Sequence, residues 1–145
     1  MKGRTKTYQC DVAIIGGSMG GVAAALTTLE QGCTVILTEA TDWLGGQMTS
    51  QGVSAFDEHP PIETFGCTKR YRKMRQHIHE HYQKKYNVDT TMKNGQLLSP
   101  GNGWVSRLCF EPKVGVQVLE NMLEPHLKSG KLKLFYPYEP IKTIV

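Results

Sequence analysis

With 145 residues, 39% of them hydrophobic and 21% charged, the chain has material for one packed domain and not for two. No apolar run is long enough to cross a bilayer, and the apolar stretch after "MKGRTKTYQC" is broken by glycines and lacks a small-x-small cleavage site, which argues against a secretory leader. The net charge of +4 is modest, and Cys10, Cys33, Cys67 and Cys109 lie far apart with no C-x-x-C pair, so reduced thiols of a cytoplasmic protein are expected, not a disulfide frame or a zinc site.

Residues 8–15, "YQCDVAII", read as a buried strand. Residues 19–31, "MGGVAAALTTLEQ", read as a helix of small and apolar residues, with Gly32 as its stop. Residues 33–38, "CTVILT", are a second, β-branched strand with Glu39 at its end. Together they form a βαβ core over 8–39, which calls for parallel strands and a right-handed crossover. Residues 41–66 are rich in Gly, Thr, Ser, Asp and Pro and read as an extended loop, a kind of segment that is often functional. Residues 67–86 are helical, with Tyr71, Met74, Ile78 and Tyr82 on one apolar stripe. Residues 87–107 return to loop, with turn signals at "NG" and "SPGNG". A further helix runs from Glu111 to about Lys128, with Pro112 in its first turn and Val114, Val118, Met122, Leu119 and Leu123 facing inward. "LKLFYP" is then a strand, and "IKTIV" begins another. The fold class is α/β, a Rossmann-like parallel sheet interrupted by a loop and basic-helix insertion over 41–107 and continued by the helix and strand of 111–145.

The turn Gly16-Gly17-Ser18-Met19-Gly20-Gly21 lies between the first strand and its helix. In a dinucleotide fold the first glycine makes the tight turn, the last lets helix and strand pack closely, and the middle one lets the backbone approach a pyrophosphate. Ser18 stands in the middle place. It is small, keeps its backbone N–H, and brings a hydroxyl that can donate to a phosphate oxygen. The first amides of the helix supply the rest of an anion site. Glu39 follows about 20 residues later, where a carboxylate accepts from ribose hydroxyls.

These features alone leave FAD and NAD open. After Glu39 comes "ATDWLGGQMTSQGV", and its Leu44-Gly45-Gly46 resembles the E-x-x-x-x-L-G-G signature of FAD-dependent oxidoreductases. "DVAIIGGSMGGVAAAL", "VILTEATDWLGGQMTSQGVS" and "GNGWVSRLCFEP" together are similar to the N-terminal part of that family, whose members have the two-domain fold of glutathione-reductase-like flavoproteins. The resemblance implies that Gly16, Gly17, Ser18, Met19, Gly20 and Gly21 hold the pyrophosphate of FAD. It implies that Glu39, followed by Ala40, binds the adenosine ribose. It sets Gly45, Gly46 and Gln47 beside the pyrophosphate and ribityl chain, and Met48, Thr49 and Ser50 near the flavin. The implied function is the FAD-binding portion of a flavin-dependent oxidoreductase that takes electrons from a small-molecule substrate. Two alternatives stand beside it: a non-catalytic adenine-nucleotide-binding or interaction module, and an NAD-dependent oxidoreductase. "LGG" after Glu39 argues against NAD, and a carboxylate at 39 disfavours the extra phosphate of NADP.

Flavin carries its own redox chemistry, so no catalytic triad is expected, and none is visible. His59 in "FDEHPP" is a candidate proton donor or acceptor near the substrate, with Asp57 and Glu58 beside it, although prolines also fix turn histidines. Arg107 is a candidate for an anionic substrate or a structural ion pair. "KRYRKMRQHIHEHYQKK" puts its basic residues on the solvated face, so neither nucleic acid nor a membrane is expected as a partner. His77 and His81 are four apart, yet no third ligand is placed and no metal is expected. Relatives of this family carry a late segment returning to the flavin and a substrate domain, and neither is recognisable before "YEPIKTIV". The chain is therefore expected to be a fragment, with a missing C-terminal part or a second copy as the partner for its open sheet edge.

Overall fold

"VAII" and "VILT" are β-branched apolar runs, linked through a helix of small residues, and they fold as the sequence demands. The computed structural model describes residues 5–87 and 99–144. Strand β1 (Val12–Ile15) leads into helix α1 (Met19–Glu30) and strand β2 (Val35–Thr38). Helix α2 (Lys69–Tyr86) follows, then α3 (Pro112–Lys128) and strand β3 (Leu132–Phe135). The three strands form one parallel sheet in the order β1-β2-β3, with Val12 opposite Val35 and Val35 opposite Leu132. The loop over 41–66 contains two short 3-10 turns, Gly46–Met48 and Pro60–Glu63. The "NG" turn signal lies outside the described residues.

Side chains alternate along a strand, so each strand sends every second residue to one face. Val35, Leu37, Leu132, Leu134 and Ile14 turn to the face covered by α1 and α3, where Val22, Leu26, Leu119 and Leu123 complete the core. Parallel strands are normally covered on both faces. Here the other face carries Ile15, 57% exposed, and is screened at Phe135 by the rings of Tyr8 and Tyr138 at 5.0 and 5.5 Å. Two expectations change accordingly. The buried strand over 8–15 is only Val12–Ile15 and is largely exposed, because β1 lies at the sheet edge. Residues 141–144 of "IKTIV" form no strand, and Ile141 is 99% exposed, since β-propensity without a neighbouring strand has nothing to pair with.

Helix α2 begins at Thr68, whose side chain caps the Tyr71 N–H at 3.1 Å, and stops at Asn87 in the left-handed conformation. Its stripe of Met74, Ile78 and Tyr82 packs against α3. Tyr82 fixes the start of α3 by donating to the Glu111 carboxylate at 3.2 Å and accepting from the Glu111 N–H at 2.8 Å. Burial pushes its phenol up to about 12. Among the described residues, no helix is long and apolar enough to cross a membrane.

Candidate functional site

Gly16 leaves β1 at φ +99°, a conformation strained for any residue with a side chain. Its N–H donates to the Thr38 carbonyl at 3.0 Å and ties the turn to the end of β2. Ser18 makes no such demand. It sits at φ −61° and ψ 176°, and its Oγ accepts from the Gly21 N–H at 3.5 Å as the N-cap of α1. Serine in the middle of the glycine motif is therefore a helix cap in ordinary extended backbone. Gly21 has no substitute, because a Cβ there would lie 1.9 Å from the Gly16 carbonyl oxygen. The amides of Met19 and Gly20 open α1 with no intrahelical acceptor, and no acidic residue sits in that first turn. The turn thus presents donors and the positive end of the helix dipole to an anion.

Glu39 is buried and reaches back over the turn. Its Oε2 accepts from the Gly17 N–H at 2.8 Å, and its Oε1 accepts from the Thr41 N–H at 2.8 Å and the Thr41 hydroxyl at 2.9 Å. The third motif joins them through the Gly45 N–H, which donates to the Gly17 carbonyl at 2.8 Å. Gly45 takes φ +111°, and a Cβ there would meet the Thr49 side chain at 2.7 Å. Turn, carboxylate and "LGG" loop, distant in sequence, form one hydrogen-bonded unit. Beside it opens a cleft of about 750 Å³, lined from the three motifs by Ser18, Met19, Gly20, Gly45, Gln47 and Met48. Val53, Ala55, Phe56, Asp57, Tyr71 and Val105 line the rest.

Residues 11–144 match the family of FAD dependent oxidoreductases. The chain belongs to this family. Among curated proteins, this family member is similar to the 4-oxocyclohex-2-ene-1-carboxylate 5-dehydrogenase of Sinomonas cyclohexanicum, 32% identical over 73 residues. That match covers 43% of this chain and 12% of the enzyme. Among solved structures it is similar to the closed crystal structure of cyclohexanone monooxygenase, with a TM-score of 0.45 and 16% identity. That superposition covers 89% of this chain and 20% of the other. The chain therefore spans a small part of the length of the relatives it matches. Membership in the FAD dependent oxidoreductases implies a flavin cofactor, and neither the NAD-dependent nor the non-catalytic alternative is favoured.

The candidate residues sort clearly in this geometry. Gln47 and Met48 line the cleft, with Met48 buried in its wall. Thr49 does not offer its side chain there: it is fully buried, and its hydroxyl donates to the Leu44 carbonyl at 2.5 Å. Ser50 is exposed and bonds the Gly46 carbonyl at 3.1 Å, and Ala40 is exposed beyond Glu39. His59 packs against Phe65, with ring centroids 5.9 Å apart and tilted by 52°, and is not among the cleft-lining residues. Arg107 pairs with Glu63 at 3.2 Å, the structural ion pair of its two readings.

Sequence pattern misses one feature. It places all basic residues of α2 on the solvated face, but Arg75 is 5% exposed. Its Nη1 pairs with Glu58 and its Nη2 with Glu63 at 2.9 Å. Tyr71 joins by donating to Glu58 at 2.6 Å. One turn on, His79 is also buried, and neither ring nitrogen has a partner among the described residues. Burial, helped by the Arg75 charge, holds the His79 imidazole below its ordinary value of 6.5, against a smaller opposing pull from Glu63. The unfolded chain therefore takes up this proton first as pH falls, and protonation favours unfolding. Stability should be fully present above about pH 7 and should decline as pH drops below about 6.5. His79→Leu should reduce that slope in urea unfolding followed between pH 8 and 5, and an unchanged slope would count against the assignment.

Proposed function

We propose that this chain is the FAD-binding part of a flavin-dependent dehydrogenase that acts on a small-molecule substrate. The observation that carries the reading is the junction of the three motifs, in which Gly17 bonds both Glu39 and Gly45 while the Met19 and Gly20 amides have no acceptor among the described residues. The residues fit the cofactor. A Cβ on Gly20 would meet only the Ser18 hydroxyl, at 3.8 Å, so the space above the turn is open. Met19 and Gly20 amides with the Ser18 hydroxyl would hold the pyrophosphate. Among the described residues Glu39 Oε2 accepts a single bond, which leaves it capacity for a ribose hydroxyl. Gly45, Gly46 and Gln47 would flank the ribityl chain, and the cleft beyond Met48 would take the flavin end. When bound, flavin supplies two-electron redox chemistry, and the protein supplies position and a dry wall. The reaction class, dehydrogenation, follows the name of the Sinomonas relative. A further strand or a second copy would complete the exposed edge of β1.

Titration with FAD, followed by quenching of flavin fluorescence and by the visible bands that persist through gel filtration, tests this reading. Saturable binding is expected, and its absence would overturn the proposal. Glu39→Gln keeps the size and one acceptor but loses the charge. A hydrogen bond to a charged group contributes about 1.5–3 kcal/mol, so FAD affinity should fall by roughly 10- to 100-fold. Affinity equal to the parent's would remove Glu39 from the ribose site.

A further inference from the structure

A second cavity, of about 520 Å³, opens between the three helices. Val22 and Leu26 of α1, Met74 of α2, and Leu119 and Met122 of α3 line it, so its interior is apolar. A further cavity of about 510 Å³ adjoins it, because Leu26, Lys69, Arg70 and Met122 line both. This outer cavity is cationic. Lys69, Arg70, Lys73, His77 and His126 line it, and Glu30 is the one carboxylate among its lining residues. Hydrogen bonds place the head of Arg70 where the two cavities join. Its Nη1 donates to the Thr27 hydroxyl at 2.6 Å and to the Ala23 carbonyl at 3.4 Å, and Ala23 and Thr27 line the apolar cavity. Its Nη2 pairs at 2.5 Å with Glu30, which lines the cationic one. Arg70 thus bridges α2 to α1 at the boundary between apolar and charged space. The Arg70 and Glu30 side chains are 27% and 58% exposed, and pairs so open to water are weak. Lys69 and Lys73, one helical turn apart, form no ion pair among the described residues.

We propose that the two cavities form one binding site for a small amphipathic monocarboxylate, distinct from the nucleotide turn, with Arg70 as its anchor. Charge complementarity chooses the occupant. The apolar interior calls for a hydrocarbon body, and three Lys and Arg side chains against one carboxylate call for an anionic head. A carboxylate is also the group that Arg70 already holds. The ligand's head replaces Glu30 on the guanidinium, whose planar fork suits a carboxylate, while Lys69 and Lys73 add positive potential. A cationic amphiphile of the same shape would meet these cations with no partner, which is discrimination by mismatch. Each cavity lies within the range of small-molecule sites, about 300–1,000 Å³. The site stands independently of the flavin assignment, since none of its charged residues lines the cleft beside the turn.

Octanoate, octanol and octylammonium share one chain and differ in the head group. Titrating each into the isotope-labelled full chain and following amide chemical shifts gives affinity and location together. Octanoate should bind saturably, with the largest shifts at residues 22–27, 69–73 and 119–122. Octylammonium should bind at least about tenfold more weakly than octanoate. Glu30→Gln removes the competing carboxylate and should tighten octanoate by about two- to fivefold. Arg70→Gln should weaken octanoate by roughly three- to tenfold and move octanol by less than about twofold. Neither substitution touches a buried side chain, so both variants should keep the parent's urea midpoint. Octylammonium binding as tightly as octanoate, no saturable binding, no gain of affinity in Glu30→Gln, or shifts centred on Ser18 and Gly45 would each overturn the proposal. FAD binding without octanoate binding would sink this inference alone. Octanoate binding at this site without FAD binding would sink the cofactor assignment and leave the site standing.

Discussion

Gly21→Ala is expected to lose both the fold of the turn and the binding of FAD. The added methyl would sit 1.9 Å from the Gly16 carbonyl oxygen, which is backbone and has nowhere to rotate. Relief requires α1 to move away from β1. Ile14 lies 3.6 Å from the same point and packs against the core, so the movement opens the helix–sheet contact as well. Overpacking of this kind costs typically about 1–3 kcal/mol and more where backbone must shift, and the upper end is expected here. For a domain whose whole stability is about 5–15 kcal/mol, the urea midpoint should drop markedly. Gly20→Ala is the contrasting case. Its methyl enters open space, and alanine within a helix is favoured over glycine by up to about 1 kcal/mol, so the midpoint should hold or rise. That methyl nevertheless occupies the mouth of the turn, and FAD affinity should fall by about tenfold, equal to about 1.4 kcal/mol. The pair separates the two jobs of neighbouring glycines, one for packing and one for ligand approach. A Gly21→Ala variant with the parent's midpoint and affinity would refute the steric account.

The glycine turn was legible in the sequence because its demands are local. Positive φ at Gly16 and the close approach at Gly21 are set by a strand entering a helix, and both appear at fixed spacing. Glu39 was legible for a related reason: the length of α1 and one strand fixes how far along the chain a carboxylate returns to the turn. What the carboxylate does there was less legible. Its bonds to Gly17 and Thr41 make it part of the turn's structure, so removing it by Glu39→Ala would disturb the fold as well as the ligand. The burial of β1 and the fate of "IKTIV" were not readable, because strand burial depends on neighbours and propensity cannot supply them. Arg75 shows the same limit in a helix. Periodicity places it next to the Met74 stripe but cannot say that Glu58 and Glu63 wait in an aperiodic loop to receive it. The acidic residues that decide its burial have no pattern of their own.

Arg75→Ala is the substitution expected to destabilise the chain most. Arg75 and the Glu58 side chain are 5% and 3% exposed, so the pair has lost most of its water. Glu58, Glu63, Arg75 and Arg107 sum to zero charge, and removing the guanidinium leaves a buried carboxylate without its cation. Breaking one partner of a buried pair costs about 3–5 kcal/mol, much of it the penalty for the charge left behind. That penalty is separable from the value of the pair. Combining Arg75→Met with Glu58→Gln removes both charges, keeps an amide carbonyl at position 58 to accept the Tyr71 hydroxyl, and leaves Glu63 with Arg107. The double variant should recover more than half of the single variant's loss in urea unfolding, a coupling that a double-mutant cycle reads directly. Strict additivity of Arg75→Met and Glu58→Gln would mean that the two side chains do not share one electrostatic unit. Glu58 also accepts from the Tyr71 hydroxyl at 2.6 Å, so the cycle reports on a unit of three side chains.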